Sequence, residues 1–127
     1  IAKSFQVSGE FDQAITSYKS VVQLNKAAMA AEARYEIASC WLSLNKLSDA
    51  EKAAFETINK SGSYDYWVTK AYILLGDIYF KQKDYFNAKA TFQSVVDNTT
   101  DAELKAEAQS KLDQVTVEEG KSSKVNN

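Results

Sequence analysis

The chain has 127 residues, 15 Lys plus Arg against 17 Asp plus Glu, a net charge of −2 and 45% hydrophobic content. That suits one domain with a real core, and it lacks both the basic excess of a nucleic-acid binder and an apolar run long enough to span a membrane. There is no His, no Pro and a single Cys, so the commonest general base and metal ligand is missing and neither a disulfide nor a CxxC site can form within the chain.

Four Gly leave little for a phosphate-cradling loop, and seven Tyr, six Phe and two Trp must be buried or bind something. The composition points away from catalysis and toward a helical binding or structural module. A chain that begins at Ile1, with neither Met nor a signal peptide, is expected to be a processed or cut fragment.

Ile1 to Val7 places Ile1, Ala2 and Phe5 as the remaining half of a first helix, closed by the turn Ser8-Gly9-Glu10. A second helix follows, with Phe11, Ala14, Tyr18, Val21 and Val22 on one face. Arg34 to Leu44 aligns Ile37, Ala38, Trp41 and Leu44, turns at Asn45-Lys46, and leads into Leu47, Ala50, Ala54 and Ile58. Ser48 and Glu51 have capping-box spacing. Gly62 is a helix stop in the long loop Ser61-Gly62-Ser63-Tyr64, and Asp65 is expected to cap the next helix.

Tyr72 to Phe80 aligns Leu75, Gly76 and Tyr79, turns at Gln82-Lys83-Asp84, and continues as Tyr85, Ala88, Phe92, Val95 and Val96. Thr100 and Glu103 again have capping-box spacing, ahead of a stripe of Leu104, Ala108 and Leu112 that reads as a closing helix. Residues 117–127 are polar and expected to form a loose tail.

These pieces repeat. Ala14, Ala50 and Ala88 fall at spacings of 36 and 38, each five positions after the aligned turn residues Gly9, Asn45 and Lys83. Units of this kind, with Tyr72, Leu75, Gly76, Tyr79, Tyr85, Ala88 and Phe92 in the third, Ile37, Ala38, Trp41, Leu47, Ala50 and Ala54 in the second, and Gly9, Phe11, Ala14 and Tyr18 in the first, resemble the tetratricopeptide repeat. The resemblance implies an all-α solenoid of about three helix-turn-helix units plus a closing helix. The units are expected at about 1–26, 31–62 and 65–99, with the closing helix at 101–116. Small residues let paired helices approach: Ala38 is expected to face Ala50, and Gly76 to face Ala88. The family commonly has Pro after the second helix; here Lys26, Gly62 and Thr100 stand near those places.

The wording of 90–98, Ala106-Glu107-Ala108 and Leu112 is also similar to repeats of bacterial envelope proteins, of the TolA-binding and outer-membrane assembly lipoprotein type. That implies a bacterial source and a periplasmic or outer-membrane-associated place.

The family implies a concave groove lined by first helices. By register it is lined by Glu32, Tyr35, Ser39, Leu42 and Ser43 in the second unit and Lys70, Ile73, Asp77, Phe80 and Lys81 in the third, with Lys3, Gln6 and Val7 from the first. Tyr35, Leu42, Ile73 and Phe80 are apolar where a solvated inner face would be polar, which favours a binding surface for a protein or peptide. The alternative for Phe80 is contact with the last helix. The family's carboxylate clamp is disfavoured: Lys70 fits one of its places, but Glu36 and Leu74 stand where Asn and Arg are needed.

Tyr64, Tyr66 and Trp67 either cover the junction of units two and three or form a convex contact patch. Cys40, beside Trp41 in mid-helix, reads as a buried apolar residue. The expected function is a non-enzymatic interaction scaffold with no catalytic residues, metal or cofactor, no nucleic-acid partner and no direct membrane insertion. The rival is a spacer or self-assembling segment that pairs through its open N-terminal end.

Overall fold

The computed structural model describes residues 1–23 and 27–126; Lys26, expected near the end of the first unit, and Asn127, in the expected tail, lie outside them. Among the described residues there are seven α-helices: α1 (Ala2–Val7), α2 (Phe11–Gln23), α3 (Ala27–Ser43), α4 (Leu47–Lys60), α5 (Asp65–Lys81), α6 (Tyr85–Asn98) and α7 (Ala102–Asn126). They pack in the order of the chain. Each helix rests on its predecessor, and in addition α3 rests on α5 and α5 on α7. The first helices of successive units therefore lie side by side. The second helices α4 and α6 do not pack as a pair among the described residues.

The three turns inside the units share one geometry. Gly9, Asn45 and Lys83 occupy the same register and all have positive φ, of 83°, 58° and 61°. At each, the next residue's N–H reaches back five positions: Glu10 to Phe5, Lys46 to Trp41 and Asp84 to Tyr79, at 2.8–3.0 Å. The left-handed residue itself donates three positions back, to Gln6, Leu42 and Phe80. This pair of bonds is the Schellman motif, which satisfies the carbonyls that a helix end leaves open. Only the first turn uses Gly; Asn45 tolerates the conformation and Lys83 is strained by it.

Helix starts differ from the sequence expectation. α4 begins after Lys46 and α5 after Tyr64, neither with a side-chain cap, so Ser48 does not cap and Asp65 is the first residue inside its helix. α6 is capped by Asp84, whose carboxylate accepts from the Asn87 N–H at 3.2 Å. α7 is capped by Asp101, which accepts from the Leu104 N–H at 3.0 Å, while Thr99 Oγ1 accepts from the Asp101 N–H. The Asp101 carboxylate, a charged acceptor at the positive end of the helix, takes the capping place in preference to the Thr100–Glu103 pair.

The core has two parts that meet at α5. Leu74, Leu75 and Ile78 bury one side of α5 against α3 and α4, in a cluster with Ala38, Cys40, Ala50 and Ala54 that extends to Ala14, Ile15 and Tyr18 of α2. Ile73 buries another side against Ala88, Phe92, Leu104 and Ala108. Gly76 permits the closest approach. A methyl group built there would lie 2.4–2.8 Å from three ring atoms of Phe92. The facing residue is thus Phe92, one turn beyond the Ala88 that register suggested. By register, Ala38 and Ala54, both fully buried, stand in unit two where Gly76 and Phe92 stand in unit three. Arg34 Nη1 donates to Lys60 O and Ser61 Oγ, both at 3.3 Å, and ties α3 to the end of α4.

α7 is longer than expected. It continues to Asn126, so residues 117–126 are helical where a loose tail was expected. No Pro interrupts it, and Val115 is buried against the second core part. Glu119 bonds Lys89 of α6 at 2.8 Å and anchors the next turn. α7 packs on α6 and α5 as α5 packs on α4 and α3, so it occupies the place of a further first helix.

Candidate functional site: the first-helix face

Residues three and four apart on a helix share a face. On α3 this aligns Glu32, Tyr35, Ser39 and Leu42, all partly exposed, with Ser43 exposed at the end. On α5 it aligns Lys70, Ile73, Asp77 and Phe80, with Lys81 fully at the surface. On α1, Lys3 and Val7 are exposed and Gln6 accepts a hydrogen bond from the Tyr18 hydroxyl at 2.8 Å. The face is knitted by ion pairs between neighbouring first helices. Lys3 lies 3.8 Å from Glu32. Lys111 of α7 donates to both carboxylate oxygens of Asp77 at 2.8 Å.

Two of the expected groove residues are taken up by α7. Ile73 is only 3% exposed and is core beneath that helix, so no ligand reaches it. Asp77 is held by Lys111, with Glu107 at 4.0 Å from the same ammonium. Burial pushes the Asp77 carboxyl above its ordinary value, and the Lys111 bond opposes that shift only in part. In the middle of the α5 row Ile73 is therefore internal and Asp77 is engaged by α7, while the two ends remain partly open.

At the first end, Lys70 Nζ stands 5.2 Å over the Tyr35 ring and 6.0 Å from that of Tyr66. Trp67 packs at 5.7 Å on Tyr35 and edge-on to Tyr66 at 4.9 Å. The aromatic patch and the Tyr35–Lys70 part of the groove are thus one cluster bridging α3 and α5. Trp67 bridges α5 and α3 at the junction between units two and three. Tyr64 stands apart as the residue before α5, its N–H bonded to Ser61 O at 2.8 Å. Burial first, and then the charges of Glu36, Glu107 and Asp77, push the Tyr35 hydroxyl up, so it stays a neutral hydrogen-bonding group.

At the other end, Phe80 meets Tyr85 with ring centroids 5.8 Å apart. Beside them lies a cleft of about 710 Å³ walled by Ser110, Gln114, Val117 and Glu118 of α7. Those α7 residues had no place in the sequence reading. Glu107, Ser110, Gln114, Val117 and Glu118 each lie 37 positions after Lys70, Ile73, Asp77, Phe80 and Lys81. The repeat spacing, carried once more along the chain, would have found them. Reading 117–127 as a tail hid them.

Cys40 is wholly buried and its thiol is pushed up to about 11 by burial and by neighbouring Glu36, which leaves it a poor nucleophile at neutral pH. Among the described residues no three His, Cys, Asp or Glu side chains gather as a metal set, and no helix is long and apolar enough to cross a membrane.

Paired helices in register, left-handed turns at a fixed offset and a shared face of first helices define a helical-repeat scaffold. Family models described as tetratricopeptide repeat match residues 1–66 and 70–98. The chain belongs to the tetratricopeptide-repeat family, whose repeats are generally non-enzymatic protein–protein interaction modules. No curated protein matches it.

Proposed function

We propose that this chain is an interaction scaffold that holds a segment of a partner protein along the face formed by α1, α3, α5 and α7. One observation carries the reading: the first helices keep Tyr35, Leu42 and Phe80 partly open, on either side of the Ile73 position that α7 covers. Those side chains supply apolar contact, and Lys70, with its ammonium over two aromatic rings and no carboxylate in its ion-pair range among the described residues, fixes orientation. The similarity of the third unit to envelope-protein repeats makes an extract of a bacterial envelope the first source of partners to try.

The test compares capture by the parent chain, a Leu42→Glu, Lys70→Glu variant and a Phe55→Glu control. Phe55 is 40% exposed on α4, a second helix. With folding verified by circular dichroism, loss of a partner in the first variant and retention in the control supports the reading. Equal capture by all three contradicts it.

A second reading, self-association, is favoured by Ile1, Val7 and Phe86, which are 93%, 88% and 80% exposed at opposite ends of the array. A mass from light scattering that grows with concentration, and stays constant in Phe86→Glu, supports it; a constant monomer mass excludes it.

A further inference from the structure

The cleft between α5 and α7 has chemistry that selects its occupant. Its floor is apolar: Phe80 and Tyr85, with Val117 56% exposed beside them. Its two lips differ in sign. Lys81 and Lys83, from the end of α5 and the turn after it, form one. Asp113 and Glu118, from α7, form the other. No ion pair joins the lips among the described residues; Glu118 pairs instead with Lys121 on its own helix, and Asp113 accepts from Gln109, one turn before it. The carboxylates of one lip are thus engaged on their own helix and not by the lysines of the other.

The α7 wall is Ser110, Gln114 and Val117, steps of four and three, with Asp113 and Glu118 beside them. It presents two helical turns, about 12 Å of ridge at 1.5 Å per residue. A ridge of that kind packs against the ridge of another helix.

We propose that this cleft seats an amphipathic helix of a partner protein, which inserts an apolar edge between carboxylates on one flank and ammonium groups on the other. This rests on the reading of the first-helix face as a binding surface, and adds where the partner's anchor sits and what it is made of. The carboxylate flank meets Lys81 and Lys83, and the cationic flank meets Asp113 and Glu118. Because the lips have opposite sign, a helix charged alike on both flanks gains on one side and is repelled on the other.

The test is fluorescence anisotropy of the full chain with four labelled 16-residue peptides. One has leucines at helical spacing with Glu on one flank and Lys on the other. Two have Glu or Lys on both flanks. The fourth is the first peptide interrupted by two prolines. The mixed-flank helix is expected to bind at least tenfold more tightly than the other three. Val117→Glu, at an exposed position that spares the fold, is expected to weaken it tenfold. Lys81→Glu with Lys83→Glu is expected to weaken it similarly and to make the all-Lys peptide the best ligand. Equal binding of the three helices, undiminished binding of the proline peptide (an extended occupant), or no binding up to 1 mM overturns the proposal. If none of these peptides binds, while partner capture is still lost with Leu42→Glu, Lys70→Glu, the scaffold reading stands and this one falls alone.

Discussion

Gly76 and Phe92 test how closely the helices of the third unit approach. An added methyl group would sit 2.4 Å from Phe92 Cε1 and 2.6 Å from Cζ, where carbon pairs settle at about 3.5–4.0 Å. The ring must therefore retreat by more than 1 Å from a position that is 1% exposed. Overpacking of this kind costs about 3 kcal/mol at the upper end of its range, and Ala returns about 1 kcal/mol over Gly in helix propensity. Gly76→Ala is thus expected to destabilise by about 2 kcal/mol. Phe92→Ala opens a cavity and is expected to cost about 4 kcal/mol. In that background the clash is gone, so Gly76→Ala becomes stabilising by about 1 kcal/mol. The pair then has a coupling energy of about 3 kcal/mol, and the double variant reproduces the Ala38–Ala54 pairing of unit two. Guanidinium unfolding of the four proteins, followed by circular dichroism with unchanged slopes, measures it. Additive effects, or a Gly76→Ala variant at least as stable as the parent, would refute the reasoning.

Lys83→Gly relieves a left-handed lysine and is expected to add about 1 kcal/mol of stability; an unchanged unfolding midpoint contradicts the strain. Asp101→Ala is expected to cost about 1 kcal/mol through its lost cap, whereas Thr100→Ala is expected to stay within about 0.5 kcal/mol, and the reverse order in thermal melts would restore the Thr100–Glu103 pairing. Burial holds the Asp77 carboxyl above its ordinary value, so its contribution to stability is present below the unfolded value and is lost as pH rises through the folded one. The parent's stability relative to Asp77→Asn is therefore expected to fall as pH rises through and above the ordinary carboxylate value in denaturant titrations; a rise would mean that the Lys111 attraction outweighs burial. Cys40, pushed up to about 11 and fully buried, is expected to resist a thiol reagent at pH 8 until the protein is unfolded, and rapid labelling of the native chain argues against that packing.

The repeat was legible because the residues that define it are local. Ala14, Ala50 and Ala88 recur in register and each is fully buried, where a larger side chain is costly. The turns were legible through Gly9 and Asn45, but Lys83 gave no sign of its left-handed backbone; only its register with the other two does. Which side chain faces Gly76 was not legible, because Phe92 and Ala88 lie one turn apart on the same face and only the crossing point decides between them. The candidate face was half legible. Register placed Tyr35, Leu42, Lys70 and Phe80 on it, while Ile73 proved internal because α7 covers it. α7 itself was misjudged at Val117: its later turns are polar, and what holds them as a helix is Val115 in the core and the Lys89–Glu119 pair, 30 positions apart in sequence. Long-range contacts of that kind leave no local periodicity to read.

The central claim is that a partner lies on the first helices. A photo-crosslinking residue placed at Ser39, half-buried in the middle of the α3 face, measures it directly when set against the same residue at Phe55 on α4. The account predicts a covalent adduct with a partner protein from position 39 and none from position 55. An adduct from position 55 alone would contradict it.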